Sequence, residues 1–141
     1  MLKVIRPFAA LVALTISFGS VALDEDKEMT KAEKRLANIL EKYEYTGKEK
    51  SCIPLRGLRS QTVIDEKTIF FEAPGGRGYM NKMDNRCPRL VFEERFSFKT
   101  SLNQLCSLDI ITVLDSFGRE WGSCGLGKFE EMKRIPKDKD K

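Results

Sequence analysis

The clearest chemistry in this 141-residue chain lies in four cysteines, Cys52, Cys87, Cys106 and Cys124. The two closest in sequence, Cys106 and Cys124, are too far apart for a C-x-x-C redox pair or for the close ligand pairs of structural zinc. The chain has no histidine. That excludes Ser-His-Asp and Cys-His relays, His-ligated metals and imidazole pH switching. The four thiols therefore read as two disulfides. Sequence allows three pairings. The expectation adopted is Cys52–Cys124 with Cys87–Cys106, which would tie the ends of a core together and close a middle loop.

Other candidate chemistry is weaker. Gly122 to Lys128 satisfies G-x-x-x-x-G-K, yet Phe129 stands where a phosphate-binding loop needs a hydroxyl for magnesium. The segment reads instead as a glycine-rich strand or bulge. Gly75-Gly76-Arg77-Gly78-Tyr79 is a candidate ligand-binding loop, with Arg77 and Tyr79 as the contact residues. Glycines let backbone N–H groups reach a ligand, and a guanidinium grips a carboxylate or phosphate. The competing reading is a plain hairpin loop.

A small hydrolase using carboxylates, with or without a hard metal, would need Asp65, Asp84 or Asp109 to converge. The adjacent acid pairs (Asp65/Glu66, Glu93/Glu94, Glu130/Glu131) point to opposite faces if they lie in strands. Asp109 also suits a turn, bonding backbone N–H groups. Phe92, Phe96, Phe98 and Trp121 could form a stacking platform, but they read as core. No motif calls for a cofactor or a metal.

The N-terminus has the layout of a secretory signal peptide over residues 1–22. Lys3 and Arg6 precede an apolar run from Phe8 to Phe18, and Ser20-Val21-Ala22 supplies the small residues before cleavage. The run falls short of the ~20 residues needed to span a bilayer. Cleavage after Ala22 removes two basic residues and no acid, which leaves 119 residues and lowers the net charge from +4 to +2. Near balance, the chain has no electrostatic case for binding nucleic acid. A periplasmic or secreted protein without a stable membrane span in its mature form is expected.

The elements that must position these residues follow from periodicity. Thr30 and Glu33 form a capping-box pattern. Ala32, Leu36, Ile39, Leu40 and Tyr43 recur at steps of three and four, so an amphipathic helix is predicted over 30–45, with Gly47 as its stop. From Cys52 the period changes to two. Strands are predicted at 58–64 and 68–72 around a turn at 65–67, then at 79–81, 95–99, 109–114 and 123–129. Residues 85–88 read as a corner and 136–141 as a disordered tail. The fold class is mainly β: a small disulfide-stapled antiparallel barrel or curled sheet of five to six strands, with one N-terminal helix. The predicted organisation is a leader at 1–22, a helical segment at 23–50, a stapled β domain at 51–132 and a charged tail at 133–141.

Several segments together resemble a known family. They are Cys52-Ile53, the hairpin from Val63 to Phe70, Tyr79-Met80-Asn81, Cys87-Pro88-Arg89-Leu90, Phe96-Ser97-Phe98, Leu105 to Ile111 and Cys124-Gly125-Leu126-Gly127-Lys128-Phe129. In this combination the chain resembles small exported proteins of Gram-negative bacteria, defined only as a domain of unknown function. The resemblance spans about 52–129. It implies a periplasmic or secreted β-rich domain and brings no catalytic residue with it. In that family a Gly often precedes the acid at the position of Asp109, where this chain has Leu108. The functional expectation is a non-enzymatic module that binds a partner or ligand of the cell envelope, with the carboxylate hydrolase as the alternative. The partner and the oligomeric state stay open.

Overall fold

The computed structural model describes residues 29–100 and 102–137. The expected leader at 1–22, Ser101 and the last residues of the tail, 138–141, lie outside the described residues. The elements in order are α1 (Lys31–Leu40), β1 (Tyr43–Lys50), β2 (Cys52–Pro54), β3 (Ser60–Val63), β4 (Thr68–Ala73), β5 (Arg77–Lys82), α2 (Leu90–Glu93), β6 (Phe96–Phe98), β7 (Gln104–Cys106), β8 (Ile110–Leu114), β9 (Glu120–Gly125) and β10 (Phe129–Arg134).

The protein is mainly β, with every described strand pair antiparallel and two disulfides. Among the described residues it has ten strands rather than five or six, and they form no closed barrel. A five-stranded sheet runs β1-β10-β5-β4-β3, and β2-β7 and β6-β8-β9 form two smaller sheets. The reason lies in the run Ile69-Phe70-Phe71. Successive strand side chains point to opposite faces, so a continuous apolar run needs cover on both sides, unlike the wall of a filled barrel. Ile69 and Phe71 join Tyr79 and Phe129 in the main core, where they meet Ile53, Leu105, Ile111 and Val113 of the small sheets. Phe70 turns the other way and packs with Met80, Met132, Tyr43 and Ile39.

At the N-terminal side, Thr30 and Glu33 close a reciprocal capping box that opens α1. The helix ends at Leu40, not near Tyr45. Tyr43 and Tyr45 instead belong to β1, paired with Arg134 and Met132 of β10. Tyr43 satisfies both a helical stripe and a period of two, and pairing with β10 decides between them. Gly47, with φ of 76°, lies in the irregular stretch between Tyr45 and Glu49 and does not stop a helix. Ordered strand continues to Arg134, beyond the predicted start of the tail at 133. Cross-strand pairs of Glu131 with Lys50 at 2.8 Å and Glu130 with Lys82 at 3.1 Å accommodate its charges.

The disulfides are Cys52–Cys106 and Cys87–Cys124, which corrects the expected pairing. Cys52 and Cys106 stand directly opposite each other in the β2–β7 ladder. Cys87 is fully buried and meets Cys124, which pairs with the core-facing Ile111 on the next strand. Neither arrangement is visible without the strand pairing.

The chain crosses from the small sheet to the large one at Leu126-Gly127-Lys128. Asn81, wholly buried on β5, donates from Nδ2 to the Gly127 carbonyl at 2.7 Å and accepts from the Gly127 N–H at 3.1 Å. A buried amide satisfied in this way locks the crossing in place. A Cβ on Gly127 would sit 1.8 Å from the Lys82 carbonyl oxygen. Gly127→Ala is therefore expected to destabilise the protein by about 3 kcal/mol or more, measured by denaturant unfolding, because the obstacle is backbone. Proteolysis without reductant should release linked peptides joining Cys52 to Cys106 and Cys87 to Cys124. Peptides joining Cys52 to Cys124 would contradict this covalent framework.

Candidate functional site

The residues proposed from sequence do not meet in one place. Arg77 is exposed at the start of β5, its Nε 3.4 Å from the Pro74 carbonyl. Tyr79 is only 1 % exposed and belongs to the main core, so it cannot grip a partner beside Arg77. The glycine-rich loop is a tight turn with Gly75 and Gly76 at positive φ, and β10 closes over it through a bond from Arg134 N to the Gly76 carbonyl at 2.7 Å.

The carboxylates also serve local structure. Asp65 accepts from the Lys67 N–H at 2.7 Å in the β3–β4 turn. Asp109 accepts from the Cys106 N–H at 2.7 Å, the backbone role its position suggested. Asp84 lines a cleft of about 410 Å³ with Lys82, Lys128 and Glu130, whereas Asp65 lines a different one. Among the described residues no three acids or cysteines gather as a metal set. The phosphate-loop lookalike is likewise accounted for. Lys128 pairs with Glu49 at 3.3 Å and Phe129 is buried in the core. Leu108 stands at φ of 76°, a conformation in which glycine is unstrained.

Different residues form an ordered, exposed aromatic surface. The β8–β9 hairpin tip is organised by Asp115, which is only 6 % exposed. Its carboxylate accepts from the Phe117 N–H at 2.8 Å, the Arg119 N–H at 2.9 Å and Arg119 Nε at 2.7 Å. Gly118 at φ of 78° completes the turn. This is the Asx-type chemistry that a short acidic side chain brings to a turn. The ordered tip pushes Phe117 out to 83 % exposure, with the Arg119 guanidinium 5.5 Å from its ring.

Past the tip, the β8–β9 register shifts between Val113 and Leu114, at the level of Trp121. A shift of this kind re-aims a side chain. Trp121 is half exposed, and the Arg89 guanidinium lies 3.8 Å from its ring centre. Arg89 itself has φ of 66° and pairs with Glu93 at 2.6 Å. It also lies 5.4 Å from the ring of Phe92, which is 78 % exposed. The Cys87–Cys124 bridge holds the base of α2 against β9, so the stack has a covalent foundation. Phe96 and Phe98 pack in the core region as expected, but Phe92 and Trp121 do not.

The electrostatics are internally balanced. Both stacked arginines have carboxylate partners, Glu93 and Asp115. What faces solvent is therefore aromatic surface, with Trp and Arg together, the composition of interface hot spots. No sequence signal gave this away, because a lone Trp in a Gly-rich strand looks like core until its neighbours are placed. Among the described residues no helix is long and apolar enough to cross a membrane.

Asp115 offers a test of the tip. Burial pushes its carboxyl up, but the hydrogen bonds from Arg119 and Phe117 and the Arg119 charge outweigh it and hold the group below the ordinary range. Stability from such a group is present above the unfolded-state value of about 3.9 and is lost as pH falls through the lower folded value. The amide resonances of Phe117 and Arg119 should follow one titration below that value and lose it in Asp115→Asn. A midpoint above it would contradict the hydrogen-bonded tip.

Comparison with known proteins brings no match, either to a family model or to a curated protein or solved structure.

Proposed function

We propose that the protein is a periplasmic or secreted, non-enzymatic module that binds a partner of the cell envelope through the Trp121–Arg89–Phe92 stack and the Phe117 tip. The observation that carries this reading is the Arg89–Trp121 stack, held at 3.8 Å beside a disulfide and left open to solvent. Ordering an exposed indole on a guanidinium has no benefit to the core, since neither group contributes to it. It does lower the conformational cost of binding, because the side chains are already in place. Two disulfides suit an oxidising compartment. They are compatible with the export that the sequence of residues 1–22 and the family resemblance imply.

The test is cross-linked capture by the mature protein from cell-envelope extracts. Trp121→Ala should lower recovery of a specific partner at least about tenfold, a hot-spot loss, while both disulfides and the unfolding midpoint are retained. Arg77→Ala, on the larger sheet, should leave recovery unchanged. Equal recovery by Trp121→Ala and the parent protein, or loss with Arg77→Ala alone, would overturn the assignment to this face.

A further inference from the structure

We propose that the outer edge of β9 takes up an extended, uncharged peptide segment of the partner, added as a fourth strand to the β6-β8-β9 sheet. This inference rests on the binding role proposed above and names the class of partner.

The hydrogen-bond parity of β9 sets out the edge. Leu126 N donates to the Asp109 carbonyl at 2.9 Å, one position past the Ile110–Gly125 pair that ends the β8–β9 ladder, and so carries the ladder's parity. In an antiparallel pair, bonded and non-bonded positions alternate. Cys124 and Gly122, two and four residues back, therefore turn their backbone groups toward β8. Ser123 and Gly125 turn theirs away. The other side of β8 agrees, since Leu114 N donates to the Arg95 carbonyl at 3.0 Å and so faces β6. Glu120 to Ser123 and Gly125 are all exposed, and no described residue pairs with the outward groups of Ser123 and Gly125.

Among the described residues the other edges of the larger sheet and of the β6-β8-β9 sheet are charged, partly covered or short. β1 carries Glu44, Lys48, Glu49 and Lys50 and breaks register near Gly47. β3 has its Val63 carbonyl covered by Arg35 Nη1 at 2.8 Å. β6 is only three residues long. β9 has no charge from Trp121 to Gly125, and no described strand pairs with its outer edge. Its unpaired N–H and C=O groups are complementary to one kind of occupant, another extended backbone. The side chains of β9 refine the occupant. Trp121, backed by Arg89, offers a flat ring beside the edge, and Gly122 and Gly125 leave room for larger neighbours. The fitting segment is uncharged, with one aromatic or branched apolar residue opposite Trp121.

The test uses the full mature chain and a displayed library of random linear heptapeptides. A peptide that the parent chain selects should bind Ser123→Ala within about threefold and Ser123→Pro at least about tenfold more weakly, because only the proline removes the outward N–H. N-methylation of alternate peptide residues checks this without touching the protein: one parity should abolish binding and the other should leave it. Equal binding to Ser123→Pro and Ser123→Ala, equal effects of both methylation parities, or enrichment of no heptapeptide over a Ser123→Pro control would each overturn strand addition. A dimer of the parent chain that Ser123→Pro dissolves would also overturn it, since β9 would then serve a second copy. Binding lost in Trp121→Ala but insensitive to proline and to methylation would remove strand addition while keeping the aromatic face as the binding site.

Discussion

The arrangement depends on one close approach, the passage of Gly127 over the Lys82 carbonyl, clasped by the buried Asn81 amide. Only a residue without a Cβ fits there, and only a side chain with both donor and acceptor can satisfy both Gly127 backbone groups. The clasp ends β9 at Gly125 and starts β10 at Phe129 in a different sheet. β10 then lies between β1 and β5, where Phe129 enters one core and Met132 the other. Because the chain leaves β9 in this way, β9 keeps one side without a neighbour among the described residues. The open edge follows from how the core is closed.

Two cores on the two faces of one sheet explain how the described residues stay folded around strands this short. The main core lies between the large sheet and the two small ones, and the second lies on the α1 side. Neither small sheet could stand alone, since a few strands of three to six residues are marginal in water. The disulfides act where that weakness is greatest. Cys52–Cys106 bridges the two-stranded sheet, and Cys87–Cys124 ties β9 to the segment below α2. The second bridge also supports the exposed aromatic surface, because Arg89 follows Cys87 by two residues and stacks on a strand anchored through Cys124.

Much of the strand content was legible in the sequence. The β3–β4 hairpin, the β-branched run of β8, the alternating Phe96 and Phe98 and the disulfide count all follow from local pattern. What was not legible depends on partners distant in sequence. Tyr43 fits a helical stripe and a strand equally well until β10 pairs with it. Lys133 and Arg134 look like the start of a charged tail until β1 and β5 pair with that end of β10. Tyr79 reads both as the end of a glycine-rich loop and as the start of the strand predicted at 79–81, and only its neighbours in the sheet show that its side chain points into the core. Trp121 reads as core by composition, and only the register shift and Arg89 show it facing outward. The disulfide pairing is a property of sheet register, which spacing along the chain does not contain.

The most direct measurement of the central claim is residue-resolved amide hydrogen exchange along β9 in the free protein. An open edge predicts fast exchange at Ser123 and Gly125 and slow exchange at Gly122 and Cys124, whose N–H groups are held by β8. Uniform protection of all four amides would mean that something already covers the edge, and the account of β9 as the open docking strand would be contradicted.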